Sequence, residues 1–133
     1  MVVRVPIAVA ALVRGGHVSL VHRHPLREWY PDCWDLVGGH VEPGESPHEA
    51  VIRECFEELG VRVQDPMPIS MTSSDLTVDV HAFLVTRWAG EPANTAPEEH
   101  DDLRWFSPTE LAGLKLDPAA LSSILSVVEI ASE

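Results

Sequence analysis

Three glutamates on one predicted helix face are the residues of this sequence best suited to chemistry. Glu54, Glu57 and Glu58 stand at positions i, i+3 and i+4, so a helix brings them to the same side. Carboxylates this close repel one another and destabilise a helix unless a positive group offsets them. Hard divalent cations such as Mg²⁺ prefer oxygen ligands. The spacing therefore predicts a metal site on an exposed helix face.

The flanking residues predict where this helix begins and ends. Ser46 and Glu49 form a Ser-x-x-Glu capping box, and Pro47 suits the first helical position. Gly60 suits the left-handed residue that closes a helix at its carboxyl end. We expect the opposite face to be buried through four side chains: Ile52, Cys55, Phe56 and Leu59.

The segment that contains this helix resembles the Nudix box of the Nudix hydrolases, including MutT-type enzymes. Gly39 is followed after five residues by Glu45 and, after seven more, by the run RECFEELGV at 53–61. Every fixed position of the box is present at its spacing. Cys55 is the one mild departure, and a buried cysteine packs as a small hydrophobe, so we expect little effect on the chemistry.

The resemblance implies that a divalent cation and a water cleave a nucleoside diphosphate linked to another group. Arg53 and Glu57 match catalytic positions of the box, and Glu45 matches the position that pairs with Arg53 and ties the loop to the helix. The implied cofactor is Mg²⁺, with Mn²⁺ as the alternative. The metal-ligand positions are matched by Gly39 (through its carbonyl), Glu54, Glu57 and Glu58.

A general base and the substrate contacts are expected outside the box. In the family the base often lies on a loop before a late strand, and the acidic segment 97–102 occupies such a place. Glu99 is our first choice and Glu98 the second, while His100 stays open because histidine titrates near neutral pH. For the substrate, the candidate phosphate ligand is Arg23, and the candidate stacking residues are Trp29 and Tyr30.

Composition restricts the partners of the chain. Its 133 residues carry a formal net charge of −12, with eight arginines and one lysine, which argues against a nucleic-acid polymer as partner. A small nucleotide would reach so acidic a protein through a metal ion. Cys33 and Cys55 fit no metal or redox pattern and predict free thiols in the cytoplasm. We expect no membrane span, and a homodimer stays open because nothing identifies an interface.

The predicted elements suggest how the site is positioned. Two apolar runs joined by Arg14-Gly15-Gly16 predict a hairpin, and two further helices are expected from Ser107 and from Asp117. Strands mixed with helices indicate a sheet covered on both faces, in agreement with the α/β/α sandwich and mixed central sheet that the resemblance implies, as one domain over residues 1–133. Strands are expected at 3–13, 17–22, 34–37, 61–63, 69–72, 76–88 and 103–106.

The function that we expect is Mg²⁺-dependent pyrophosphohydrolysis of a nucleotide, in MutT-like fashion a (deoxy)nucleoside triphosphate. Within the same chemistry, ADP-ribose and other nucleoside diphosphate derivatives stay open. A non-catalytic nucleotide sensor would be expected to carry a degraded box, and this box is intact. An isomerase of a phosphorylated isoprenoid would need a reactive cysteine and a histidine cluster that the sequence does not obviously supply.

Overall fold

A mixed β-sheet with helices on both faces forms the body of the protein. The computed structural model describes residues 3–131. The elements, in chain order, are β1 (Val5–Arg14), β2 (His17–Arg23), β3 (Trp34–Asp35), β4 (Val37–His40), α1 (Pro47–Leu59), β5 (Arg62–Gln64), β6 (Met67–Ile69), β7 (Val78–Val85), β8 (Arg87–Ala89), β9 (His100–Phe106), α2 (Pro108–Leu111) and α3 (Pro118–Ala131).

The long strand β1 organises the sheet. It runs parallel to β7 over eight residue pairs, and antiparallel to β2 and to β4. The predicted hairpin is confirmed, since Gly15 and Gly16 have φ angles of 58° and 75°, as a primed turn requires. The strand β2 also pairs with β3 and β9, and β6 pairs with β7, while β5 and β8 form a separate two-stranded sheet.

Alternation along β1 divides the core into two layers. Ala8, Ala10 and Leu12 belong to the cluster that includes α1, because side chains two residues apart share a face of the strand. The intervening residues, Val9, Ala11 and Val13, belong to the cluster that includes α3. The predicted α/β/α sandwich with a mixed central sheet is therefore confirmed.

The helix α1 has the predicted ends but a different buried face. Ser46 and Glu49 make both hydrogen bonds of a capping box, and Gly60 closes the helix at a φ of 71°. The expectation for Phe56 is wrong, because this residue is 51% exposed, and the centroid of its ring lies 5.4 Å from the guanidinium of Arg62. Glu58 is buried instead. The buried side of the helix runs along Val51, Cys55 and Glu58, and Phe56 lies more than a quarter turn around the helix axis from the middle of that side.

Several strand boundaries differ from those expected. The predicted strand 76–88 breaks at Thr86 into β7 and β8, which belong to different sheets. The predicted strand 34–37 likewise divides into β3 and β4, and that at 69–72 lies earlier, at Met67–Ile69. The strand β9 begins at His100, so it includes residues that we had expected in a loop.

Cys33 and Cys55 are both free thiols, and burial raises the pKa of Cys55 to about 12, so this thiol is chemically inert in the folded protein. Within residues 3–131, no helix is both long enough and apolar enough to cross a membrane.

Candidate active site

A cleft of about 770 Å³ runs along the loop between β4 and α1. Its walls bring together residues that are distant in the sequence, from β2, the 24–33 loop, α1 and the start of β9. Of the predicted site residues, only Glu45 is absent from the lining. The others that line the cleft are Arg23, Trp29, Tyr30, Gly39, Arg53, Glu54, Glu57, Glu58, Glu98, Glu99 and the open candidate His100.

The three helix glutamates have unequal environments. The side chain of Glu57 is 55% exposed, whereas those of Glu54 and Glu58 are 12% and 5% exposed. The expectation of a shared exposed face is therefore wrong for Glu54 and Glu58, because the strands of the sheet cover that side of α1. Burial raises the pKa of Glu54 above its usual range. The amide of Gly38 donates a 3.0 Å hydrogen bond to Oε2 of Glu58.

Glu58 and Glu99 form a coupled carboxyl pair in the floor of the cleft. Burial, together with the hydrogen bond to Glu99 and the nearby charge of Glu54, raises the pKa of Glu58 well above its usual range. Accepting that hydrogen bond lowers the pKa of Glu99. Without a cation, the pair therefore retains a proton on Glu58 at neutral pH. A divalent cation would take the place of that proton.

Arg53 ties the loop to the helix and orients the helix glutamates. Its guanidinium donates to both carboxylate oxygens of Glu45, at 2.7 and 2.9 Å, and to the His40 carbonyl at 3.1 Å. Its Nη1 also donates to Glu54 at 2.9 Å and to Glu57 at 3.1 Å. The hydrogen bonds that Glu45 accepts from Arg53 and from the Glu42 amide lower its pKa to about 2. Glu45 thus contacts the site through Arg53 and does not line the cleft.

Glycine at position 39 leaves the space that the Glu54 carboxylate occupies. A Cβ atom there would lie 2.6 Å from Oε1 and 2.8 Å from Cδ of Glu54. We expect Gly39→Ala to displace that carboxylate and to weaken both divalent-cation affinity and kcat about tenfold. Calorimetric titration and steady-state kinetics measure the two effects. Gly113→Ala is the matched control, because the nearest atom there is 3.9 Å away; equal behaviour of the two variants would contradict the prediction.

Arg23 holds the loop that forms the mouth of the cleft. Its Nε and Nη2 atoms donate to the carbonyls of Trp29 and Tyr30 over 2.6–3.2 Å. Much of the guanidinium that we expected on a phosphate is thus engaged with the backbone. The two aromatic side chains of this loop are exposed at the edge of the cleft, and Tyr30 has a positive φ of 52°. Arg23 therefore fixes how these rings are presented.

Asp35 is a cleft residue that the sequence analysis missed. It lines the cleft opposite Val21 of β2, and burial raises its pKa to about 6. An acidic residue at a predicted sheet position just before the Gly38-Gly39 loop was the available signal. Such a carboxyl in the lining of the cleft can accept or donate hydrogen bonds according to pH.

The mixed sheet, its two helix layers and the carboxylate-lined cleft define a Nudix-type α/β/α sandwich. The chain belongs to the Nudix family, because the model of the NUDIX domain matches residues 4–126. It is therefore a Nudix hydrolase, of a family whose members act on small nucleotide substrates and generally use a divalent metal.

Individual relatives agree with this assignment. The chain is 30% identical over 118 residues to the CTP pyrophosphohydrolase of Escherichia coli (strain K12), covering 86% of this chain and 84% of that protein. It is 32% identical over 119 residues to the NAD-capped RNA hydrolase NudC of Stutzerimonas stutzeri (strain A1501), covering 90% of this chain but 41% of NudC. The chain thus spans less than half the length of NudC.

A solved structure shows the same fold. The MutT NUDIX hydrolase from Burkholderia pseudomallei superimposes with a TM-score of 0.80 at 28% sequence identity, over 91% of this chain and 95% of that chain. The described fold is therefore one that related hydrolases adopt.

Proposed function

We propose that this chain is a divalent-cation-dependent pyrophosphohydrolase of nucleotides, with (deoxy)nucleoside triphosphates as its first candidate substrates. The observation that carries the proposal is the gathering of Glu54, Glu57, Glu58 and Glu99 in one cleft with the aromatic loop at its mouth. The similarity to a CTP pyrophosphohydrolase over most of both chains supports a free nucleotide as substrate.

The donor set fits the metal that the family generally uses. Glu54, Glu57 and Glu58 offer hard carboxylate oxygens of the kind that Mg²⁺ or Mn²⁺ requires, and Gly39, whose carbonyl would add a further oxygen, lines the same cleft. Burial raises the pKa of Glu58, and the neighbouring carboxyl groups of Glu99 and Glu54 raise it further, as expected for a carboxyl group that lacks a positive partner. Such a cation lowers the pKa of water and neutralises phosphate charge.

The residues of the site have separate tasks in this proposal. Arg53 holds Glu54 and Glu57 in the orientation that a cation needs. We assign the proton acceptor to Glu99 rather than Glu98, because Glu99 is half-buried and bonded to Glu58 whereas Glu98 is exposed at the rim. Trp29 and Tyr30 offer ring faces to the nucleobase, and Arg23 holds them in place.

A substrate panel with Mg²⁺ or Mn²⁺ tests the proposal. The panel contains nucleoside triphosphates, ADP-ribose, dinucleoside polyphosphates and an NAD-capped RNA, with released monophosphate and pyrophosphate measured. We expect the free triphosphates to be hydrolysed fastest. Preference for the capped RNA would overturn the substrate assignment, and no product from any member would overturn the enzymatic proposal.

Glu57→Gln tests the metal role within that assay. We expect kcat to fall at least about tenfold, because an amide is a weaker ligand for a hard cation than a carboxylate. Glu129→Gln, at an exposed position of α3, is the matched control and should retain full activity. If the activity of Glu57→Gln stayed within a few-fold of that of the wild type, the assignment of Glu57 as a metal ligand would be wrong.

We also propose that the chain acts as one domain in the cytoplasm, on small nucleotides rather than polymers. The extent of the family match, two free thiols and a net charge of −12 support this setting. Retention of both free thiols in protein isolated from its native cells is the expected result.

A further inference from the structure

The ring of His100 is buried beside the acidic cluster with its hydrogen-bonding capacity unused. Its relative exposure is 3%, and among residues 3–131 its Nδ1 has no hydrogen-bond partner. Its Nε2 lies 3.7 Å from Oε1 of Glu58, which is beyond hydrogen-bond distance. Buried polar atoms of proteins are ordinarily hydrogen-bonded, and here neither the orphaned Nδ1 nor Nε2, the ring nitrogen that lies beside Glu58, has a hydrogen-bond partner among residues 3–131.

The backbone, rather than the ring, fixes where His100 lies. Its amide donates to the Ala96 carbonyl at 3.1 Å, and its own carbonyl accepts from Nδ2 of Asn94 at 2.7 Å. The strand β9 then pairs His100 with Arg23 of β2. The imidazole is thereby carried into the cleft before any ligand arrives, which is the preorganisation that a ligand site requires.

The spacing of the ring and the carboxylates suits two ligands of one ion. Glu58, Glu99 and His100 each offer a ligand atom, and these atoms all lie within 4.8 Å of one another. Two ligand atoms bonded to one divalent ion at about 2.1 Å, with angles of 90° to 120°, lie about 3.0 to 3.6 Å apart. The 3.7 Å between Glu58 and His100 comes close to this range without any rearrangement of the backbone.

We propose that His100 binds the divalent cation of this cleft through a ring nitrogen, beside Glu58, and that this nitrogen gives the site a preference for Mn²⁺ over Mg²⁺. The inference rests on the proposed function only in requiring that a cation bind here. Mg²⁺ strongly prefers oxygen ligands. Mn²⁺ also suits oxygen ligands, but as a first-row transition-metal ion it accepts an imidazole nitrogen in a mixed N/O site more readily than Mg²⁺ does. One nitrogen among carboxylates is therefore expected to shift the selectivity of an otherwise hard site.

Pulsed electron paramagnetic resonance of the Mn²⁺-loaded wild-type protein tests this directly. The echo modulation reports nitrogen bonded to Mn²⁺, and protein grown with ¹⁵N-histidine should replace the ¹⁴N pattern by that of ¹⁵N. Because this measurement needs no variant, it does not depend on how a substitution folds. Absence of nitrogen modulation from the wild type would overturn the proposal, whether or not the protein hydrolyses nucleotides.

Two variants then identify the histidine. His100→Gln should lose the nitrogen signal, and His40→Gln, at another histidine that lines the cleft, should keep it. In calorimetric titrations, His100→Gln should weaken Mn²⁺ binding about 10- to 100-fold and Mg²⁺ binding less than about threefold. If His100→Gln weakened the binding of Mn²⁺ and Mg²⁺ equally, His100 would only support the structure. If the nitrogen signal persisted in His100→Gln, His100 would be excluded as the ligand. Either result overturns the proposal.

Discussion

Glu58→Gln is expected to lower kcat about 10³-fold while making the cation-free protein more stable. The glutamine oxygen can still accept the hydrogen bond from the Gly38 amide, and its NH₂ group can donate to Glu99. It cannot supply the negative charge that a cation needs. The same substitution removes a buried carboxyl whose pKa is raised by burial and by neighbouring carboxylates, which should stabilise the cation-free fold by about 1–3 kcal/mol.

The pH dependence of this difference has a definite sign. The pKa of Glu58 is higher in the folded state than in the unfolded state, where it is about 4.5. Its contribution to the stability of the fold is therefore fully present below pH 4.5 and is lost as the pH rises towards the folded-state pKa. Without a cation, the free energy of unfolding of the wild type should therefore fall relative to that of Glu58→Gln as the pH increases above about 4.5. Urea unfolding in a chelator, repeated between pH 5 and pH 9, measures the difference.

Saturating cation and a matched variant complete this test. Mg²⁺ should stabilise the wild type more than Glu58→Gln, because only the wild type offers the full ligand set. Glu57→Gln changes a mostly exposed carboxylate on the same helix, so its cation-free stability should equal that of the wild type. A Glu58→Gln protein that is less stable in chelator, or that retains catalysis, would contradict the account of the buried pair.

Local signals were sufficient to predict the helix and its carboxylates. The capping box at Ser46, the closing glycine at Gly60 and the spacing of Glu54, Glu57 and Glu58 all lie within the one segment 46–60. The apolar runs and helical stripes along the chain likewise predicted strands mixed with helices, and hence a sheet covered on both faces. Such features depend on the period of one element, which the sequence displays directly.

Contacts between distant segments could not be predicted in the same way. The hydrogen bond of Glu58 to Glu99 depends on β9 pairing with β2, and no local pattern records which strands become neighbours. The burial of Glu58 and the exposure of Phe56 differ from expectation for a related reason, because the sheet contacts α1 along a stripe that hydrophobicity alone places incorrectly. Arg23 could be predicted as a cleft residue, but its engagement with the 24–33 loop required the folded backbone.

Arg53→Lys is expected to lower both cation affinity and kcat about 100-fold, although it retains the positive charge. The guanidinium donates at once to Glu45, Glu54, Glu57 and the His40 carbonyl, and these acceptors are arranged around a planar fork. A lysine ammonium has three donors at the end of a flexible chain and cannot reproduce that arrangement. Parallel calorimetry and kinetics measure the two effects.

The thermal stability of this variant should show a distinct pH profile. Because Arg53 lowers the pKa of Glu45 to about 2, the pair stabilises the fold above pH 4.5, and this contribution is lost as pH falls towards 2. Arg53→Lys should therefore melt below the wild type at pH 7, with the difference shrinking between pH 4.5 and pH 2. Arg104→Lys, at an exposed arginine paired with Asp102, should match the wild type in activity.

Glu45→Gln separates the two tasks of Arg53. It removes the bond to the loop but leaves Arg53 beside Glu54 and Glu57, so we expect a smaller loss of kcat than for Arg53→Lys. If orientation of the helix glutamates is the main task, Glu45→Gln should chiefly lower thermal stability, whereas Arg53→Lys should chiefly lower cation affinity. Equal losses of cation affinity in both variants would mean that the loop after β4 contributes as much to the site as the helix does.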